Sequence, residues 1–257
     1  MDMTAASPLA IPGRRTSCPT CSLRGQCLPG RLDAAATLLL DAVIQRPAPL
    51  RRGQSLYRIN QPARSLYVVR SGAVRTMVPD GEAGMQVTGF HLRGELAGLD
   101  ALAGERHSAM ADALERTSVC AIPLAALERL TTRMPELQVQ LHRLLSREIA
   151  LDHAHMRQMT VRTARGKLAR FLYELATRYA RAGMPPDEIQ LPMSRADIAS
   201  YLGLAVETAS RQMRGLADDG IIDANHRSVR IIDRPRLAAL AGETPVTDPL
   251  AYARLPA

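Results

Sequence analysis

The chain has 257 residues, 46% of them hydrophobic but only 3% aromatic, with no tryptophan and a net charge of +8. That length suits two domains whose cores are filled by Leu, Val, Ile, Met and Ala. No apolar run approaches the ~18 residues of a membrane span, and the opening Met-Asp-Met-Thr-Ala-Ala-Ser lacks a basic stretch leading into an apolar one, so the expected location is the cytoplasm, away from membranes. The positive balance permits a polyanionic partner. It is spread along the chain, however: residues 1–160 hold 19 Lys+Arg against 14 Asp+Glu, and residues 161–257 hold 14 against 11. Charge alone therefore does not single out nucleic acid.

Residues 1–17, interrupted by Pro8, Pro12 and Gly13, are expected to be loose. Next comes Cys18-Pro-Thr-Cys21-Ser-Leu-Arg-Gly-Gln-Cys27, which with Cys120 accounts for all four cysteines. In a reducing compartment, clustered cysteines read as metal ligands rather than disulfides. Soft thiolates suit zinc, copper(I) or an iron–sulfur cluster, and four of them make a closed set for tetrahedral zinc or a cuboidal cluster. The Cys-x2-Cys-x5-Cys spacing matches neither common ferredoxin run. Spacing by itself leaves zinc and iron–sulfur both open, and leaves Cys120 either a fourth ligand or a packing residue. A helix is predicted over 32–44, ending before Pro47 and Pro49.

From 50 to 122 short β-like runs alternate with turns: 65–69, 73–78, 85–90 and 118–122, punctuated by Ser71-Gly72, Pro79-Asp80-Gly81, Arg93-Gly94 and Gly104. Such spacing predicts an antiparallel barrel or roll, with Cys120 on its last strand. Residues 124–160 are predicted helical, Pro135 opening a long second segment. Leu145, Ile149, Asp152, Met156 and Met159 recur at steps of 4, 3, 4 and 3, which is the seam of a helix that pairs with its own copy. Asp152 is the odd member, since pairing would set two carboxylates against each other. His153 and His155, two apart, cannot share a helix face and are expected to be solvated.

A helix over 163–182 follows, with Leu168, Phe171, Leu172, Leu175 and Tyr179 on one face. Ser194-Arg-Ala-Asp197 has the form of a capping box. It opens a helix over 195–202 that ends at Gly203, and a second helix runs from 206 to about 217; two short helices around a tight glycine turn form a helix-turn-helix. On the second helix Val206, Ala209, Met213 and Leu216 are predicted to be buried, leaving Glu207, Ser210, Arg211 and Arg214 on the opposite face. A carboxylate, a hydroxyl and a guanidinium there are suited to cytosine N4, to a phosphate or base, and to guanine O6/N7. Ile221-Ile222 and 228–232, with a turn at 223–226 between them, are predicted to form a two-stranded wing, and residues from 244 to 257 a loose tail.

Tyr201-Leu-Gly-Leu-Ala-Val-Glu-Thr-Ala-Ser-Arg211 resembles the recognition motif of the CRP/FNR superfamily, and Glu207, Ser210 and Arg211 match the Glu-x-x-Ser-Arg set of its FNR subfamily. Cys18, Cys21, Cys27 and Cys120 resemble the four ligands of the FNR-type oxygen sensor; Thr88-Gly-Phe-His-Leu92 and Ala113-Leu-Glu115 are also FNR-like. The likeness covers about residues 16–240. Ala205 departs from it, standing where a capping Thr or Ser is common. What the resemblance implies is an α+β fold: a cysteine-bearing segment (1–30), a cyclic-nucleotide-binding-like antiparallel β-roll sensor domain (31–130), a dimerisation helix (131–160), a winged helix-turn-helix DNA-binding domain (161–240) and a flexible tail (241–257). It further implies a 4Fe–4S cluster on the four cysteines that holds a homodimer under low oxygen, double-stranded DNA carrying TTGAT half-sites, and RNA polymerase as a partner touched by the hairpin tip at 79–84 and other loops of the roll. No small-molecule substrate is expected.

Two other readings compete. One is a cyclic-nucleotide-responsive regulator, for which Gly94-Glu95-Leu96-Ala97 would be the phosphate cassette. That cassette wants an Arg followed by a small hydroxyl residue, and here Arg106 is followed by His107, with Ser108 one place late. The other is a zinc-stabilised protein, either a regulator or an enzyme. No His-Glu-x-x-His, Gly-x-Ser-x-Gly or P-loop motif supports an enzyme, and none is expected.

Overall fold

The punctuated runs of the first half pair antiparallel. A computed structural model describes residues 17–81 and 84–242, so the ends expected to be loose lie almost wholly outside the described residues, as does the centre of the 79–84 hairpin tip. The described residues fall into two compact units divided between Ala150 and Leu151.

In the first unit β1 (Ser55–Tyr57), β3 (Val74–Pro79), β4 (Met85–His91) and β6 (Met110–Ala113) form one sheet in the order β1-β6-β3-β4. A second sheet is ordered β5-β2-β7, from β2 (Ser65–Ser71), β5 (Leu96–Ala97) and β7 (Ser118–Pro123). Tyr57, Val69, Val74 and Ala111 come from both sheets and pack into one cluster between them. The register of β3 on β4 slips between Thr76 and Met77. This bulge explains why Val87 and Phe90, three apart, are both buried where strict alternation would turn one of them to solvent. Gly72 closes the β2–β3 turn at φ +78, with Thr117 so near that a Cβ would stand 2.5 Å from its hydroxyl; only glycine meets both demands.

The other face of the second sheet carries the cysteine segment. Leu66 and Val68 of β2, Leu96 and Ile122 share a core with Leu28, Leu32, Leu40 and Ile44, and with Leu127, Leu137 and Leu144 from the helices that follow. The segment is three short 3-10 turns, Cys18–Thr20, Arg24–Gln26 and Leu28–Arg31. The first helix, α1, spans Ala34–Val43 and begins two residues later than the sequence predicts, because Asp33 accepts from Ala36 N and fixes the start there. Next come α2 (Leu124–Arg133) and the long α3 (Pro135–Met159), which continues past the division between the units.

In the second unit α4 (Ala164–Arg181) is capped by Thr163, whose hydroxyl accepts from Gly166 N, and buries the expected stripe from Leu168 to Tyr179. Helices α5 (Arg195–Leu202) and α6 (Val206–Asp218) form the helix-turn-helix. The wing differs from expectation. Asp223, Ala224 and Asn225 belong to strand β9 (Ile222–Asn225), and the turn is confined to residues 226–227, where His226 takes φ +47. A further strand, β8 (Glu188–Gln190), pairs with β10 (Ser228–Ile231) to give a three-stranded sheet, β8-β10-β9. An unforeseen helix, α7 (Arg234–Ala241), closes the unit; Asp233 caps it and Arg170 Nε donates to the Ala241 carbonyl at 2.9 Å.

Candidate metal centre and nucleic-acid interface

All four cysteines are free thiols, and all four line one cavity of about 430 Å³, counting its mouth. Cys18 opens the first 3-10 turn, Cys21 and Cys27 lie in extended backbone between the turns, and Cys120 comes from β7, where it stands opposite Val68 of β2. Leu23, Ile44, Val68 and Ile122 supply the apolar wall. The charged residues that line the cavity are Arg24, Arg46 and Arg70. Cys18 is held in place by its backbone N–H, which donates to Asp41 Oδ1 at 2.8 Å. Asp41 is ion-paired with Arg46, and Arg46 Nη2 lies 3.7 Å from Cys18 Sγ.

Burial, reinforced by Asp41, pushes the Cys18 thiol up to about 12. Burial does the same to Cys27, with Cys120 and Cys21 adding to it, and it raises Cys120 against the pull of Arg46 and Arg70. Without a metal these are protonated thiols, so a metal must displace their protons. The donor set fits a soft thiophilic centre: four sulfurs from two elements, with guanidinium groups beside them to offset thiolate charge. The sulfurs are spread around the wall, and among the described residues no three His, Cys, Asp or Glu side chains are gathered closely enough to hold a metal ion. Sequence reasoning missed Asp41, Arg46 and Gln140. Gln140 Nε2 of α3 donates to the Cys27 carbonyl at 3.1 Å. The first two belong to no motif, and Gln140 shows only as a polar residue among the leucines of α3.

At the helix-turn-helix, Asp197 N donates to Ser194 Oγ at 3.1 Å and Ser194 N donates to Asp197 Oδ2 at 2.8 Å, completing the capping box. Gly203 ends α5 at φ +61. Ala205 precedes α6 without a side-chain cap. Ala209, Met213 and Leu216 are buried as expected, but Val206, in the first turn of α6, is 41% exposed. Glu207, Arg211 and Arg214 are exposed and Ser210 half-buried on one face. Among the described residues none of Glu207, Arg211 and Arg214 has a hydrogen-bond or ion-pair partner. Arg195 Nη2 donates to the His226 carbonyl, tying the wing turn to α5.

Along α3, Leu145 is half-buried, while Ile149, Asp152, Met156 and Met159 are exposed. His153 is exposed as expected. His155 is not solvated: its ring stacks on Tyr201 with centroids 4.0 Å apart, and burial lowers its pKa, with Asp152 acting in the opposite sense. The residues that a cyclic phosphate would need are engaged within the chain. Arg106 Nη1 donates to the Asn60 carbonyl. His107 is buried against Tyr57 and bonded to Asp100, which also accepts from Ser108 N.

Residues 48–134 match the family described as the cyclic nucleotide-binding domain, and residues 166–240 the Crp-like helix-turn-helix domain. The transcriptional activator FnrA of Stutzerimonas stutzeri is 42% identical over 89% of this chain and 94% of its own. The fumarate and nitrate reduction regulatory protein of Vibrio cholerae is 37% identical, covering 93% and 95%. Among solved structures, FixK2 of Bradyrhizobium japonicum superposes with a TM-score of 0.71 at 30% identity, over 80% of this chain and all of that one. A CRP-family regulator of Thermus thermophilus, at 22% identity and a TM-score of 0.62 over 78% and 97%, shares the fold.

Proposed function

Because the chain belongs to the CRP/FNR family of DNA-binding transcription regulators, which are homodimers and not enzymes, we propose that it is an oxygen-responsive regulator whose dimerisation and DNA binding depend on a metal centre at Cys18, Cys21, Cys27 and Cys120. The observation that carries this reading is the gathering of every cysteine in the chain on one cavity. The name of the Vibrio cholerae relative, a regulator of fumarate and nitrate reduction, fits a protein that works at low oxygen.

A 4Fe–4S cluster on these thiols would supply an oxygen-labile cross-link between the N-terminal turns and β7. Arg46 and Arg70 offset the charge of the thiolates, and Asp41 keeps both Cys18 and Arg46 in position. The stripe of Leu145, Ile149, Asp152, Met156 and Met159 meets its copy in the dimer, where Asp152 keeps the association weak. Two copies of α6 then enter successive major grooves. Arg211 donates to guanine O6 and N7, Glu207 accepts from cytosine N4, and Ser210 and Arg214 bond base or backbone, which reads an inverted repeat of TTGAT half-sites about one helical turn apart. RNA polymerase would be met by loops of the roll, of which the 79–84 tip lies partly outside the described residues.

A fluorescence-anisotropy titration tests this reading. Anaerobic protein should bind a duplex carrying the repeat and release it after exposure to air. Equal affinity before and after air would overturn the oxygen response, and equal affinity for a scrambled duplex would overturn the half-site.

A further inference from the structure

The cysteine segment lies against α3, and Gln140 of that helix bonds it directly. Cys27 sits in extended backbone between two 3-10 turns. Its sulfur lines the cavity, while its carbonyl accepts from Gly30 N at 2.9 Å and from Gln140 Nε2 at 3.1 Å. Gln140 is only 6% exposed and lies on the face of α3 that also buries Leu137 and Leu144. A primary amide in that apolar stripe is costly unless bonded, so its position is tied to that of the Cys27 carbonyl. The segment also approaches very closely. A Cβ on Gly30 would stand 3.2 Å from Gln140 Nε2, 3.0 Å from the Gly25 carbonyl oxygen and 3.1 Å from that of Arg24. Leu28 and Leu32 of the segment share a buried cluster with Leu137 and Leu144 of α3, and apolar burial of that kind is non-directional.

We propose that Gln140 is the positioning residue through which the state of Cys27 is passed to α3 and so to the dimer seam on the same helix. This rests on the metal reading given above. Ligation of the Cys27 sulfur fixes the backbone of that residue and hence the direction of its carbonyl, and Gln140 holds the helix in the register that matches. Loss of the ligand frees the peptide, and the helix loses its directional constraint. A ligand shifts an equilibrium only through contacts that differ between the two states, and the bond from Gln140 is such a contact.

The test uses the full chain, purified without oxygen, as wild type, Gln140→Met, Gln140→Glu and Gly30→Ala. Methionine keeps the shape of the side chain and removes the donor; glutamate puts an acceptor in its place. Two quantities are read for each protein: iron and sulfide per chain, and the dimerisation constant by sedimentation with and without the metal centre. In wild type the two constants should differ by roughly the 5–150-fold usual for coupled sites. In Gln140→Met and Gln140→Glu the metal content should equal that of wild type while the ratio of constants falls to about one. Gly30→Ala, whose Cβ crowds the Gln140 amide and also the Gly25 and Arg24 carbonyl oxygens, should lower the ratio too, so Gln140→Met, which leaves that backbone untouched, carries the comparison at equal metal content. A wild-type ratio in Gln140→Met, or in Gly30→Ala, would overturn the proposal. Loss of iron from Gln140→Met would also overturn it, since Gln140 would then build the site instead of reporting on it. Wild-type protein without iron would overturn the metal reading itself, and the proposal with it, before any variant is compared.

Discussion

Glu207 and Arg211 stand four residues apart on α6, exposed and without partners among the described residues. Both are therefore available to base edges without first breaking an internal bond. Arg211→Ala should weaken binding to the TTGAT repeat by about 1–3 kcal/mol and relax selectivity at one guanine. A titration panel over single-base variants checks this, and a uniform loss over all sequences would make Arg211 a phosphate contact. His155 makes a different prediction. Burial holds its pKa below the ordinary imidazole value, so between the two values the unfolded chain takes up a proton that the folded chain refuses. Stability of the C-terminal unit is therefore complete above about pH 6.5 and falls as pH drops below it. His155→Phe, which keeps the stack on Tyr201, should flatten the melting temperature between pH 7 and pH 5; an unchanged slope would show that His155 does not report on the fold. At this scale the sequence is uneven in what it reveals. The four thiols are legible because no cysteine is left over. Asp41 and Arg46 are not, because neither belongs to a motif and their pairing spans the end of α1. His155 is misread because its partner Tyr201 is 46 residues away.

Among the elements, those with a period and a cap are the most legible. The Ser194–Asp197 box lies where its spacing puts it, and Ser194→Ala should cost about 1 kcal/mol in thermal or chemical unfolding of the second unit; a variant as stable as wild type would show that the box is redundant. β8 escapes notice because Glu-Ile-Gln is too short to show alternation. Its place is set by β10, which it pairs through Ile189 and Val229. α7 has signals that were open to reading, an Asp cap at 233, Pro235 in its first turn and Gly242 past its end. Its eight residues are too few for a convincing stripe, and packing against α4 completes it. The wing turn is shorter than expected because His226 adopts a left-handed conformation that lets the strands close over two residues. The exposed seam of α3 carries its own prediction. Ile149 is 55% exposed and Met156 57%, and between them stands Asp152. Two carboxylates in a partly desolvated seam oppose an association that the apolar residues favour. Asp152→Ala should dimerise and bind DNA in air without any metal, since a shift of a few kcal/mol is enough to reverse the populations. Sedimentation of the aerobic variant decides it, and a monomer like wild type would mean that Asp152 does not hold the helices apart.

For the molecule as a whole, fold class and order of elements are legible because local propensity, turn chemistry and apolar pattern agree along most of the chain. The metal is not, because zinc and iron–sulfur use the same thiolates and the spacing of the first three excludes neither. The structure brings Cys120 to the same cavity as the other three, beside Arg46 and Arg70, and bonds the segment that carries them to Gln140 of α3, an arrangement open to either metal. On the proposed oxygen response the centre at that cavity is oxygen-labile, a behaviour that zinc, having no redox chemistry of its own, does not supply. The most direct test is to count iron, acid-labile sulfide and zinc in protein isolated without oxygen. The account predicts about four iron and four sulfide per chain, lost on exposure to air; stoichiometric zinc with no iron would contradict it.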